Sequence, residues 1–209
     1  MKGFAVRISF YFDPSCPWSW MTSRWLAEVQ QFRDLDVAWK PFSLEIKNAG
    51  SDVPAQYRPG MRLGLRALRV IEAAKAEQLA DDNSIGRFYS ALGEQFHNLG
   101  LGAKSSIADA LSAAQWPAEL HYNENNEDLD LPIRESMSEA LALYGSENTG
   151  VPLLVLEEGP TRITVSGPIL NPAPRGEEAA KLWDGFLIVA KNSSFYEMKK
   201  HRVAAPIFD

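Results

Sequence analysis

The chain has 209 residues, with 21 Lys and Arg against 27 Asp and Glu, for a formal net charge of -6 with His counted neutral. Hydrophobic residues make up 45 % and charged residues 23 %, an ordinary globular composition and enough for a sizeable core. The acidic balance argues against a nucleic-acid binder, and the single cysteine, Cys16, excludes an internal disulfide, a secreted disulfide scaffold and any dithiol enzyme that cycles one.

No apolar run approaches the length of a membrane span and no signal peptide is visible, so the expectation is a cytoplasmic protein without a membrane partner. Phe4 to Phe12 is apolar on nearly both faces and predicts a first strand inside a sheet. Asp13 to Pro17 is a turn. Trp18, Met21, Trp25, Val29 and Phe32 then recur at intervals of three and four and predict a helix. Pro17 suits its first turn, where a missing N–H costs nothing, so Cys16 falls at or near the N-cap. Val37 to Leu44 predicts a second strand, and Asn48 to Gly60 a loop.

Helical spacing returns over Met61 to about Leu79, again at Ile85, Phe88, Leu92 and Phe96, and more briefly at Ile107 and Leu111. Asn123 to Asp130 is polar and predicts an exposed loop, with Glu124, Glu127, Asp128 and Asp130 as a solvated face. Ile133, Met137, Leu141 and Tyr144 mark a further helix. Val151 to Leu156 and Thr161 to Ser166 predict a hairpin around Gly159-Pro160. A proline-rich loop, Pro168 to Pro174, precedes a last helix at Ala179, Trp183, Phe186 and Ala190, and the residues after about Lys199 form a tail or a docked C-terminus. Neither end can close a core alone, so 1–60 and 147–209 are expected to share one sheet, with 61–146 as an inserted helical subdomain.

A thiol ahead of a helix meets free backbone N–H groups and the positive end of the helix dipole, so the Cys16 pKa is expected to fall. The Ser19 hydroxyl, three residues on, can donate to the sulfur but cannot resolve a mixed disulfide. The competing reading of a lone cysteine is a small buried hydrophobe. Thr149-Gly150-Val151-Pro152 opens the third strand, where a proline marks either a sheet edge or a cis bond that leaves Val151 open to an extended thiol substrate. Trp18 and Trp20 are candidates for an aromatic pocket, and Trp25, Trp39 and Trp183 for the core. His97, His121 and His201 have no metal-ligand spacing, no metal site is expected, and the acidic run lacks the pattern of a calcium loop. No phosphate loop, serine elbow or carboxylate pair is evident.

Together these features resemble the DsbA family of thioredoxin-fold proteins, in particular its actinobacterial mycothiol-dependent nitroreductase or oxidoreductase branch. The likeness runs through Phe12-Asp13-Pro14, Cys16-Pro17-Trp18 and Thr22-Ser23-Arg24-Trp25-Leu26. It continues in Phe88-Tyr89-Ser90-Ala91-Leu92-Gly93, Phe96-His97-Asn98, Thr149-Gly150-Val151-Pro152, Gly167-Pro168, Pro174-Arg175-Gly176 and Lys181-Leu182-Trp183-Asp184-Gly185. It implies an α/β thioredoxin-like fold with an inserted all-helical subdomain. It also implies a substrate pocket with Pro17 and Trp18 beside the thiol, Asn48 and Tyr57 in the loop after the second strand, and Val151 and Pro152 opposite. Dithiol relatives carry a second cysteine where this chain has Ser19.

The leading expectation is a monothiol oxidoreductase in which Cys16, aided by Ser19, forms a mixed disulfide with a low-molecular-weight thiol, mycothiol or glutathione, that a second thiol resolves. The partners are that thiol and a disulfide or electrophilic substrate, with no tightly bound cofactor, in a monomer or homodimer. One alternative is an enzyme of the glutathione transferase kappa or isomerase type, with a non-covalently bound thiol activated by Ser15 or Ser19. Another is a non-catalytic binding protein on the same fold.

Overall fold

A computed structural model describes residues 6–201 and 204–208. The predicted start of the first strand at Phe4 lies outside them. Four strands form one sheet in the order β2-β1-β3-β4, from β1 (Val6–Phe12), β2 (Leu35–Pro41), β3 (Leu153–Glu158) and β4 (Thr161–Ser166). β1 is interior, parallel to β2 and antiparallel to β3, and β3 and β4 form the predicted hairpin. Helix α1 (Pro17–Val29) makes the crossover from β1 to β2.

The other helices are α2 (Leu44–Lys47), α3 (Arg58–Ala76), α4 (Asp82–Gly93), α5 (Ile107–Ala114), α6 (Asp130–Tyr144) and α7 (Gly176–Ala190). Those from α3 to α6 fall between β2 and β3 in the chain, so the fold is thioredoxin-like with an inserted helical subdomain. Helices α1 and α7 pack on each other. Trp25 of α1 lies 5.5 Å from Trp183 of α7 between ring centroids, and its indole N–H donates to the Ala179 carbonyl at 3.0 Å. Phe10 and Phe12 of β1 meet a half-buried Trp39, and Phe12 and Trp39 both pack on Tyr89 of α4, which joins the sheet to the insertion. Among the described residues, no helix is long and apolar enough to cross a membrane.

Several boundaries differ from the sequence reading. Phe32 is exposed beyond the end of α1, because the chain must already turn back to start β2 at Leu35. β2 stops at Pro41, although Phe42 N–H still donates to Phe12 O of β1 at 2.9 Å, and Leu44 begins α2, capped by the Ser43 hydroxyl. α3 starts at Arg58, with Pro59 in its first turn. β3 starts after Pro152, at Leu153.

The acidic stretch is not wholly a solvated face. Glu124 is buried and bonded to Arg66, and Asp130 accepts both Nε and Nη2 of the buried Arg69 at 2.7 and 3.1 Å. These pairs clamp the stretch and α6 to α3, while Glu127 and Asp128 stay exposed. The C-terminal segment docks: Asn171 bonds Ala205 O and Ile207 N, and Phe208 packs on His97 with centroids 5.3 Å apart.

Candidate active site

Cys16, 4 % exposed, is the N-cap of α1, and its thiol sits between two backbone groups far apart in sequence. The Ser19 N–H donates to Sγ at 3.5 Å, and the thiol donates to the Val151 carbonyl at 3.4 Å. The Val151–Pro152 peptide is cis. Donors from the adjoining segments fix this arrangement: Gly167 N–H donates to Pro152 O at 2.9 Å, and Thr22 of α1 donates to Pro168 O at 2.8 Å.

Burial pushes the Cys16 thiol above its ordinary pKa. The Ser19 hydroxyl and N–H and the Trp18 N–H pull it back, and the charge of Asp13 adds to the rise. This overturns the expected fall. A helix N-terminus favours the thiolate, but here the sulfur has lost its water and faces a carbonyl oxygen, which a protonated thiol satisfies.

Asp13 is the main residue of the turn that the sequence reading missed. It is fully buried, and its Oδ1 accepts the Ser15 N–H at 2.7 Å and the Ser15 hydroxyl at 2.6 Å, while Oδ2 accepts the Leu44 N–H at 2.6 Å. One carboxylate thus shapes the turn before Cys16 and anchors the start of α2. Burial raises its pKa to about 6, against the pull of those three donors. The signal was available in Asp-Pro-Ser, since an Asp at a turn commonly accepts the N–H two residues on. His97 carried no such signal. It is buried beside Trp20 and donates Nε2–H to the Pro14 carbonyl at 3.0 Å, and burial holds its pKa down at about 4, so it is a neutral brace for the turn.

A groove of about 390 Å³ opens beside the turn, lined by Ser15, Pro17, Tyr57, Met61 and Phe96 among others. The predicted site residues divide around it. Pro17 and Tyr57 line it, Tyr57 more than half exposed. Ser19 and Val151 meet the sulfur instead. Trp18 is half-buried one residue past Pro17. Asn48 is not on the lining; its amide donates to Leu44 O at 2.8 Å and contacts Met61 Sδ, ending α2. Trp20, the other pocket candidate, is buried and donates to Asn98 Oδ1 at 2.9 Å.

A family model described as Rv2466c-like, mycothiol-dependent nitroreductase Rv2466c, matches residues 15–200. The uncharacterized protein Rv2286c of Mycobacterium tuberculosis is 25 % identical over 209 residues, covering 97 % of this chain and 85 % of that protein. Among solved structures, the cytosolic disulfide reductase DsbM from Pseudomonas aeruginosa superposes with a TM-score of 0.54 at 15 % identity, over 88 % of this chain and 100 % of its own. A putative protein disulfide isomerase from Nitrosomonas europaea gives 0.53 at 16 % identity, over 88 % and 98 %. At such identities these two share the fold.

Proposed function

Since the chain belongs to the Rv2466c-like family of mycothiol-dependent nitroreductases and is a thiol-dependent oxidoreductase, we propose that Cys16 is its reacting group and works as a monothiol. The supporting observation is the position of the one cysteine: capping α1, bonded to Ser19 N–H and Val151 O, with a groove opening between its neighbours Ser15 and Pro17. In the first step Cys16 attacks a disulfide R–S–S–R′. The Cys16–S–SR bond forms, the S–S bond breaks, and R′S⁻ leaves with the proton that Cys16 gives up. In the second step a thiol RSH attacks the Cys16–S–SR bond, which restores the Cys16 thiol and releases RSSR. R is the low-molecular-weight thiol, mycothiol by family membership; a DsbM structure of the same fold was solved with GSH.

In this reading the groove takes the substrate, with Pro17 and Tyr57 as contacts and Trp18, Val151 and Pro152 framing the sulfur. Residues 1–60 and 147–209 carry the thiol chemistry, and 61–146 supply the far wall through Met61 and Phe96. The protein acts in the cytoplasm, a location supported by its single unpaired cysteine.

The test is intact mass after incubation with mycothiol disulfide. One mixed disulfide on Cys16, reversed by free mycothiol and absent from Cys16→Ser, is the expected result. One observation favours a rival in which the thiol binds without a covalent bond: among the described residues the buried Ser19 hydroxyl lies near enough to Cys16 to favour its thiolate but completes no hydrogen bond, so it can turn to a bound thiol. Turnover surviving in Cys16→Ser, with no adduct in the wild type, overturns the monothiol cycle in favour of that rival.

A further inference from the structure

A second cavity, of about 420 Å³, lies between α1, β2 and α4 and shares no lining residue with the Cys16 groove. Two guanidinium groups line it, Arg24 from α1 and Arg87 from α4. Arg24 lies over the Trp20 ring at 4.2 Å from its centroid and donates to the hydroxyls of Ser23 and Ser90 at 3.2 and 2.8 Å. Arg87 donates to the Ala114 carbonyl at 3.3 Å. Among the described residues, neither forms an ion pair. Arg66 and Arg69 on α3, by contrast, each meet a carboxylate.

An arginine cannot shed its proton to escape burial, so its charge calls for an anion. Burial pushes the Arg24 pKa down, and the charge of Glu94, beyond ion-pair distance, opposes that. Among the described residues, Asp82 is the sole carboxylate on the lining, and its Oδ1 is occupied by the Trp39 backbone N–H at 2.8 Å. The lining therefore carries one net positive charge. Gly86 keeps the wall open where a Cβ would come within 3.2 Å of the Trp39 indole nitrogen. Leu26, Val37 and Ala113 supply apolar surface. A few polar anchors on an apolar wall, at this volume, match the make-up of small-molecule sites.

We propose that this cavity binds a small organic oxyanion, a carboxylate or a phosphate monoester, with its charged group held by Arg24 and Arg87 and its body against Trp39. Guanidinium forks suit both groups. The site is separate from the thiol chemistry and stands whether or not Cys16 reacts as described.

The test is a titration of the full chain at constant ionic strength with inorganic phosphate and, separately, with succinate. It is read by tryptophan fluorescence, since Trp39 lines the cavity and Trp20 lies beneath Arg24. The expected result is a saturable change with at least one of the two, half-complete at about 1 mM or below. Arg24→Gln removes it, and Arg87→Gln, at an exposed position that leaves the fold intact, weakens it by about tenfold or more. Mixed-disulfide formation on Cys16 is unchanged in Arg87→Gln. Saturation by phosphate alone or succinate alone identifies the group recognised. No saturation by either up to about 50 mM, or an identical curve for Arg87→Gln, overturns the proposal.

Discussion

At the N-terminus of α1 the sulfur of Cys16 is buried and protonated beside a largely apolar groove. About two turns further along the same helix, Arg24 is held by neutral hydroxyls and, among the described residues, forms no ion pair, Glu94 acting on it only from beyond that distance. The two places meet burial with different chemistry. A thiol can take up a proton, and its pKa moves upward to match its surroundings. A guanidinium has no such outlet, so the cost of burying it stays until a ligand offsets it. The first region is therefore complete without a ligand and, in the proposed cycle, must be opened for Cys16 to react, whereas the second is completed by one.

The sharpest way to separate the two is by substitution at each. Cys16→Ala removes mixed-disulfide formation entirely, while Arg24→Gln retains it in whatever fraction folds; intact mass after exposure to mycothiol disulfide measures both. If Arg24→Gln loses the adduct while keeping its melting temperature, the two regions are parts of one site.

Next in size is Asp13→Ala, which strips three donors of their acceptor in a fully buried turn and is expected to cost about 3 kcal/mol of stability by urea unfolding. Asp13→Asn probes the charge alone. With its pKa raised to about 6, the native Asp13 keeps a proton that the unfolded chain has already lost near pH 4. The stability this gives is fully present below the unfolded pKa and is lost as pH rises through about 6. Wild-type stability relative to Asp13→Asn should thus decline by up to about 3 kcal/mol between pH 4 and 7. A relative gain over that interval contradicts the raised pKa.

Gly93→Ala bears on what supports the turn. A Cβ there would stand 2.3 Å from Trp20 Cζ3, in the ring that stacks on His97 and lies beneath Arg24. Overpacking of this kind costs about 2 kcal/mol. Because the displaced ring serves both regions, thermal melts should show the loss, and both adduct formation and phosphate binding should weaken together.

The strand-helix-strand opening, the hairpin and the N-cap position of Cys16 were legible because hydrophobic period and the Cys16-Pro17 pair speak locally. The direction of the Cys16 pKa was not. It depends on burial by segments more than a hundred residues away, such as Val151, whose carbonyl faces the sulfur. Glu124 and Asp130 were misjudged for the same reason: a charge run looks solvated until Arg66 and Arg69 arrive from α3. Asn48 and Tyr57 came from the family resemblance. The structure uses one to end a helix and leaves the other on the groove, a division that no local pattern encodes.

The titration of Cys16 gives the next effect. With the thiol above its ordinary range, alkylation by iodoacetamide should speed up about tenfold per pH unit between roughly pH 7 and 9, as the thiolate fraction grows. A plateau beginning below about pH 8 means that the helix terminus outweighs burial.

The smallest expected change is that of Ser19→Ala. Among the described residues the buried Ser19 hydroxyl completes no hydrogen bond, although it lies near enough to Cys16 to favour the thiolate, so deleting it should leave stability within about 0.5 kcal/mol or raise it. The Ser19 N–H, 3.5 Å from the sulfur, survives the substitution, but the hydroxyl's downward pull on the Cys16 pKa does not. Alkylation at pH 7 should then slow by roughly threefold, as the thiolate becomes rarer. An unchanged rate assigns the whole pull to the backbone N–H. A loss of turnover far beyond the loss of alkylation points the other way: the hydroxyl would then be acting on a bound thiol rather than on Cys16, as the non-covalent rival requires.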